Sequence, residues 1–167
     1  MRHLRLLGLL LVVAVAGYTA GASGGGSASP QAGGGPSAGR VLRVVDGDTI
    51  QVQVGERREK VRYIGVDTPE SVKPGTPVQC FAKAASAENE RLVAGRHVRL
   101  VYDAERRDRY GRLLAYVYRD SLFVNAELVR AGYARTLTIP PNVRFAGRFA
   151  QLARNAREHG RGLWQRC

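Results

Sequence analysis

The chain has 167 residues, 26 Lys and Arg against 14 Asp and Glu, a formal net charge of +12, two cysteines and three histidines. That length suits one domain with a single core, and that charge suits polyanionic partners held by salt-dependent attraction. No zinc-ligand spacing, glycine-rich phosphate loop or catalytic-serine pattern occurs, and His3, His97 and His159 lie away from every motif described below.

Met1-Arg-His-Leu-Arg5 is a positive segment, Leu6 to Ala16 an apolar run and Ala20-Gly-Ala22 a small-residue cleavage site. This is the pattern of a secretory leader cut after about Ala22, and the run is short for a membrane span. An uncleaved anchor is the alternative; cleavage leaves a secreted, periplasmic or cell-surface protein with no stable span. Residues 23–39 are rich in Gly, Ser, Ala and Pro and are expected to be a disordered linker. The folded domain is then 40–167.

Within it, strands are expected at about 40–46, 48–54 and 58–66, a helix at 79–94, strands at 97–102 and 112–119, and helices at 124–131 and 142–159. Thr49 to Val54 alternates polar and apolar residues, and Gly55-Glu56-Arg57 is a turn signal. A hairpin centred near 56 sets position 48 opposite about 65, so Asp48 and Asp67 meet at its open end. In the last helix Phe145, Phe149, Leu152, Ala153 and Ala156 form a stripe that packs on the sheet. The arginine runs at 106–109 and 144–161 read mainly as solvated faces. The strand pattern alone gives a small α+β domain with a barrel or sheet.

Two carboxylates at one spot repel, and a fold tolerates them mainly when a cation or a shared proton relieves the repulsion. Oxygen ligands without nearby Cys or His favour calcium or magnesium over zinc. The plainer alternative is that Asp-Gly and Asp-Thr-Pro are ordinary turn sequences. Arg62 shares strand parity with Ile64 and Val66. An arginine on an apolar face needs an anion, either Asp67 or a phosphate held in the bidentate manner. Arg112 follows the turn Asp108-Arg109-Tyr110-Gly111 at the start of a strand. Cys80 and Cys167 are an even pair in an exported chain, which implies a bridge. Two free thiols or an intermolecular bridge are the alternatives.

Asp46-Gly-Asp48-Thr49, the segment Arg62 to Glu70, and Asp108 to Arg112 resemble, in order and spacing, the thermonuclease (staphylococcal nuclease-like) family. Val124-Asn125, Leu128-Val129-Arg130-Ala131-Gly132 and Gly162-Leu163-Trp164 extend the likeness, which runs from about Val41 to Trp164. The resemblance implies an α+β fold, a five-stranded OB-type barrel with three helices. It implies a secreted, bacterial-type, calcium-dependent nuclease that cuts DNA and RNA and leaves 3′-phosphates. By the same likeness Asp48 and Asp67 give carboxylates to Ca2+ and Thr68 its carbonyl. Glu70 serves the attacking water as general base or orienting partner, and Arg62 and Arg112 bind the scissile phosphate. Tyr110 is a further phosphate contact. Relatives with this fold also act as non-catalytic nucleic-acid or protein-binding modules, but those lose the acidic and arginine residues kept here. No obligate protein partner is evident. One departure stands out: Arg135-Thr-Leu-Thr-Ile-Pro140 lacks the tyrosines that stack on a base in the best-known member, and Tyr133 is a weak substitute.

Overall fold

The computed structural model describes residues 35–70, 75 and 77–167, so the expected leader and most of the expected linker lie outside the described residues. The strands are β1 (Ser37–Asp46), β2 (Thr49–Val54), β3 (Arg57–Tyr63), β4 (Gly65–Asp67), β5 (His97–Val101), β6 (Leu113–Arg119), β7 (Leu122–Phe123) and β8 (Arg135–Leu137). The helices are α1 (Ala82–Val93), α2 (Val124–Arg130), α3 (Ala146–Glu158) and the short α4 (Leu163–Arg166). Antiparallel pairings β1–β2, β2–β3, β1–β5 and β5–β6, closed by a parallel β3–β6 pairing, make a five-stranded barrel. β7 adds to the β6 edge, and β4 pairs with β8 as a separate two-stranded ribbon.

The barrel interior follows from the period-two pattern: Val41, Ile50, Val52, Val61, Tyr63, Leu100, Ala115 and Val117 are all buried in one cluster. Leu92 of α1 and Val124 and Leu128 of α2 complete that core. A second cluster outside the barrel joins Ile64, Tyr116, Phe123, Ala126 and Phe149. Within it Phe145 meets Tyr116 edge-on with ring centroids 4.7 Å apart, an arrangement that aromatic quadrupoles favour. The stripe read in the last helix is therefore the face that packs on the barrel wall.

The β2–β3 hairpin turns on two residues, Gly55 and Glu56, with Val54 opposite Arg57 and Thr49 opposite Arg62. The Tyr63 amide donates to the Asp48 carbonyl at 2.9 Å, so position 48 faces 63 rather than 65. The difference is two residues, an even shift that keeps the β2 and β3 side chains on the same faces of the sheet. The expected strand 58–66 is two strands because Gly65 bends the chain with φ 80°, and a Cβ there would lie 2.3 Å from the Phe149 ring. Arg62 and Ile64 thus point away from the interior that Val61 and Tyr63 fill, while Val66, beyond the bend, returns to the first core.

The three expected helices are present with shorter bounds, for local reasons. Phe81 sits at φ 69°, which delays the first helix to Ala82. Asn142 bonds the Glu105 amide (2.8 Å) and carbonyl (2.9 Å), which holds the approach to α3 as a loop. β8 gave no alternation to read, since all three of its residues are exposed.

At the C-terminus the Leu163 amide donates to the Gly132 carbonyl at 2.9 Å, which joins two of the motifs quoted above. Cys80 and Cys167 are bridged within the chain, with Cα atoms 6.0 Å apart across 87 residues. A loop of that length contributes about 4–5 kcal/mol through loss of unfolded-state entropy. Reduction, or Cys80→Ser with Cys167→Ser, is expected to lower the melting temperature by roughly 10 °C or more; an unchanged thermal scan would show that the bridge adds nothing.

Candidate functional site

Local folding brings three segments together. The turn between β1 and β2 presents Asp46 and Asp48, the end of β4 presents Asp67 to Glu70, and the start of β6 presents Arg112. These line a small cavity of about 70 Å³ whose wall is Asp46, Asp48, Thr49, Arg62, Asp67, Thr68, Pro69, Glu70 and Arg112. All the residues expected in the site except Tyr110 are here. Gly47 allows the approach, since a Cβ at that position would lie 2.7 Å from the Thr68 hydroxyl oxygen.

Asp48, 5% exposed, is the hub. Its Oδ2 accepts from the Thr68 amide at 2.8 Å and the Thr68 hydroxyl at 2.9 Å, while Oδ1 accepts from the Thr49 hydroxyl at 3.2 Å. Arg62 bridges the carboxylates, with Nε 3.2 Å from Asp48 Oδ1 and Nη2 3.2 Å from Asp67 Oδ1. Its Nη1 donates to the carbonyls of Tyr63 (3.0 Å) and Val66 (2.7 Å), which locks the guanidinium in place. The anion demanded by an arginine of that parity is therefore this aspartate pair.

Arg112 is held from below by Asp108, with Nε to Oδ2 at 2.7 Å and the Arg112 amide to Oδ1 at 3.0 Å. Partial burial alone would raise the Asp108 carboxyl, but the Arg112 hydrogen bonds outweigh it and hold the pKa below the usual value. Arg112 also lines the small cavity. Glu70 lines the cavity, and its backbone is fixed by Gln79: the Glu70 amide donates to Gln79 Oε1 at 2.9 Å and the Gln79 amide to the Glu70 carbonyl at 3.0 Å.

A larger cavity of about 480 Å³ adjoins the first and shares Arg62 and Arg112 with it. Tyr110, 68% exposed, stands on its rim with its ring 4.8 Å from Arg109 and 5.5 Å from Arg112. Leu137 and Ile139 form part of its wall, where the sequence showed no tyrosine. Tyr133 is elsewhere, its ring stacked on Phe81 at 5.4 Å.

Asp46 has no role in the sequence reading, although it opens the first motif. Its Oδ1 accepts from the Asp48 amide at 3.0 Å. Burial first, and the Asp48 charge second, push its carboxyl from 3.8 up to about 6. Burial likewise raises Asp67, against the pull of Arg62. Asn89 was also missed. It bonds the Tyr63 hydroxyl (2.9 Å) and the Asp46 carbonyl (2.9 Å), tying α1 to the site. Its signal was a polar residue inside the buried stripe Ala82, Ala85, Asn89, Leu92.

Among the described residues no group of three or more His, Cys, Asp or Glu is gathered closely enough to hold a metal. The ligand atoms that Asp48, Asp67 and Thr68 offer there are oxygen only, the chemistry a hard cation takes. The unfolded Asp46 ionises near 4, so between pH 4 and 6 the folded chain holds the extra proton and stability falls as pH rises. In chelator, Asp46→Asn is expected to raise stability at pH 7 by on the order of 2 kcal/mol and to flatten the fall between pH 4 and 6. A variant with the unaltered pH profile in denaturant melts would show that Asp46 is not the titrating group.

A family model described as staphylococcal nuclease homologue matches residues 60–166. The chain is 44% identical to a thermonuclease of Staphylococcus intermedius over 126 residues, 75% of each chain. It is 42% identical to a thermonuclease of Staphylococcus hyicus over 125 residues, 75% of this chain and 74% of that one. It is 39% identical over 126 residues to the endonuclease YncB of Bacillus subtilis (strain 168), covering 60% of that protein. With the barrel, the arginine-bridged aspartates and the matched span in agreement, the chain belongs to the staphylococcal nuclease family.

Proposed function

We propose that this chain is a secreted, calcium-dependent nuclease that hydrolyses phosphodiester bonds in DNA and RNA and leaves 3′-phosphate ends. The observation that carries the reading is one cavity wall on which Arg62 and Arg112 face an oxygen-only set of Asp48, Asp67, Thr68 and Glu70. Phosphodiester hydrolysis needs fixed positive charge where charge develops, an aligned water and a base for its proton. The relatives named above are thermonucleases and an endonuclease, which supports the same chemistry. Among the described residues no helix is long and apolar enough to cross a membrane.

Asp48, Asp67 and the Thr68 carbonyl would hold the calcium, which supplies a fixed positive charge beside the phosphate when bound. Arg112 presents its Nη edge to the phosphate while Asp108 fixes the other side of the guanidinium. Arg62, already oriented by two carbonyls and two carboxylates, adds charge to the non-bridging oxygens. Glu70 takes the proton from the attacking water, with Gln79 fixing its backbone. The 480 Å³ cavity beside the arginines takes the nucleoside next to the scissile phosphate. Leu137 and Ile139 replace ring stacking there with aliphatic contact. Stacking contributes about 1–3 kcal/mol per base, so affinity for a single nucleotide is expected to be low.

Cleavage of heat-denatured DNA by residues 23–167 should require calcium and stop in chelator. Glu70→Gln, Arg62→Ala and Arg112→Ala should each lower kcat by roughly 10²–10⁴ with the fold intact. Folded wild-type protein that cuts nothing in any divalent cation would leave the binding-module reading in its place. Calcium at 100 times its Kd should also stabilise the chain by about 2.7 kcal/mol, and Asp48→Asn should abolish that shift; an equal shift in the variant would move the ion to other residues.

A further inference from the structure

The β1–β2–β3 sheet has an outer face that the site above does not use. Its cross-strand register places Arg40 beside Gln53 and Gln53 beside Arg58, then Arg43 beside Gln51 and Gln51 beside Lys60. The next row is Asp46 beside Thr49 and Thr49 beside Arg62, at the site itself. Opposed residues share a face, and the hydrogen bond from Arg43 Nε to Gln51 Oε1 at 3.1 Å shows the face directly. The alternate positions, Ile50, Val52 and Val61, are buried in the barrel. The face is therefore two rows of cation, glutamine, cation that lead along β3 to Arg62.

All four cations are exposed, and among the described residues none of them is in an ion pair. No acidic residue occupies the two rows. Glu59 has the inward parity and is engaged by Arg107 at 2.8 Å and 3.0 Å. Rows two residues apart lie about 7 Å apart along a strand, and cations on β1 and β3 about 10 Å apart across it. The rows carry no aromatic ring, so the face lacks the means to stack bases and has the means to neutralise phosphates.

Position decides the occupant. The 480 Å³ cavity is lined by Arg62 to Val66, on the C-terminal side of Arg62, whereas Lys60 and Arg58 run away on the N-terminal side. A strand with one nucleoside in the cavity and its phosphate at Arg62 and Arg112 has this face in line with its other arm. We infer that the outer face of β1–β2–β3 binds the phosphodiester backbone of a single-stranded substrate beyond the scissile phosphate, through Arg40, Arg43, Arg58 and Lys60. This inference rests on the nuclease reading for the identity of the strand. It gives the enzyme a preference for long, unpaired polynucleotide over short fragments, without sequence preference.

The test replaces all four cations by glutamine (Arg40→Gln, Arg43→Gln, Arg58→Gln, Lys60→Gln) and compares a single-stranded 20-mer with a dinucleotide that has one phosphodiester. KM for the 20-mer should rise about tenfold or more with kcat retained, and dinucleotide kinetics should stay within about twofold. Equal losses on both substrates, or an unchanged KM for the 20-mer, would overturn the inference. Should the fourfold variant melt early, the pairs Arg40→Gln with Arg43→Gln and Arg58→Gln with Lys60→Gln are measured separately. Each should raise KM for the 20-mer by about threefold or more, and no change in either pair overturns the inference. A second arm needs no catalysis: anisotropy of a labelled 20-mer on Glu70→Gln protein in chelator, against salt. Neutralising the four cations should reduce the slope of log K against log salt by about 2–3, and an unchanged slope rules the face out. If wild-type protein cuts neither substrate, the nuclease reading fails while the anisotropy arm still decides whether this face binds the strand.

Discussion

Arg62 stands between Asp48 and Asp67, and most of what surrounds the site exists to keep it there. A guanidinium at 3.2 Å from each carboxylate offsets part of their repulsion. Two backbone carbonyls then stop it from leaving toward either one. Those carbonyls belong to the bend at Gly65, so the bend that ends β3 also supplies the arginine's cradle. Burial, more than the neighbouring Asp48 charge, raises the Asp46 and Asp67 carboxyls beside it.

The barrel and helices hold this arrangement by buried amides as much as by apolar packing. Asn125 is fully buried, donates to the Ile64 carbonyl at 2.9 Å and accepts from the Val117 amide at 2.8 Å. It therefore fixes the end of the third strand against β6, the strand that Arg112 precedes. Asn89 does the same between α1 and the turn that presents Asp46 and Asp48. Losing either partner would leave a buried polar group unpaired, which costs about 1–3 kcal/mol and would let the two arginines drift relative to each other. The disulfide adds a third tie. Cys80 follows Gln79, whose hydrogen bonds fix the Glu70 backbone, so the covalent bridge to Cys167 ends one residue from that clamp.

The site and the sheet face together describe a path rather than a point. One side of the arginine pair opens on a cavity whose mixed wall includes Leu137 and Ile139, and the other on a basic face without rings. Affinity would come from phosphates, and turnover from the one phosphate that reaches both arginines.

The sequence by itself determined the core and the chemical inventory. Period-two and helical spacing are local, so Ile50, Val52 and the Phe145–Phe149 stripe could be placed inside without a fold in hand. Asp48, Asp67 and Arg62 stand out by residue type and position, whereas the roles of Glu70 and Arg112 rest on the family resemblance. Tertiary structure alone decided which anion answers Arg62, and that Asp108 backs Arg112. It also decided that Asp46 shares the charge, that Asn89 and Gln79 support the site, and that β1 to β3 align four cations toward it. Each of these depends on a partner 2 to 43 positions away or on a strand register. Neither is encoded in spacing, because a turn centred one residue earlier moves every cross-strand neighbour while leaving the hydrophobic pattern unchanged.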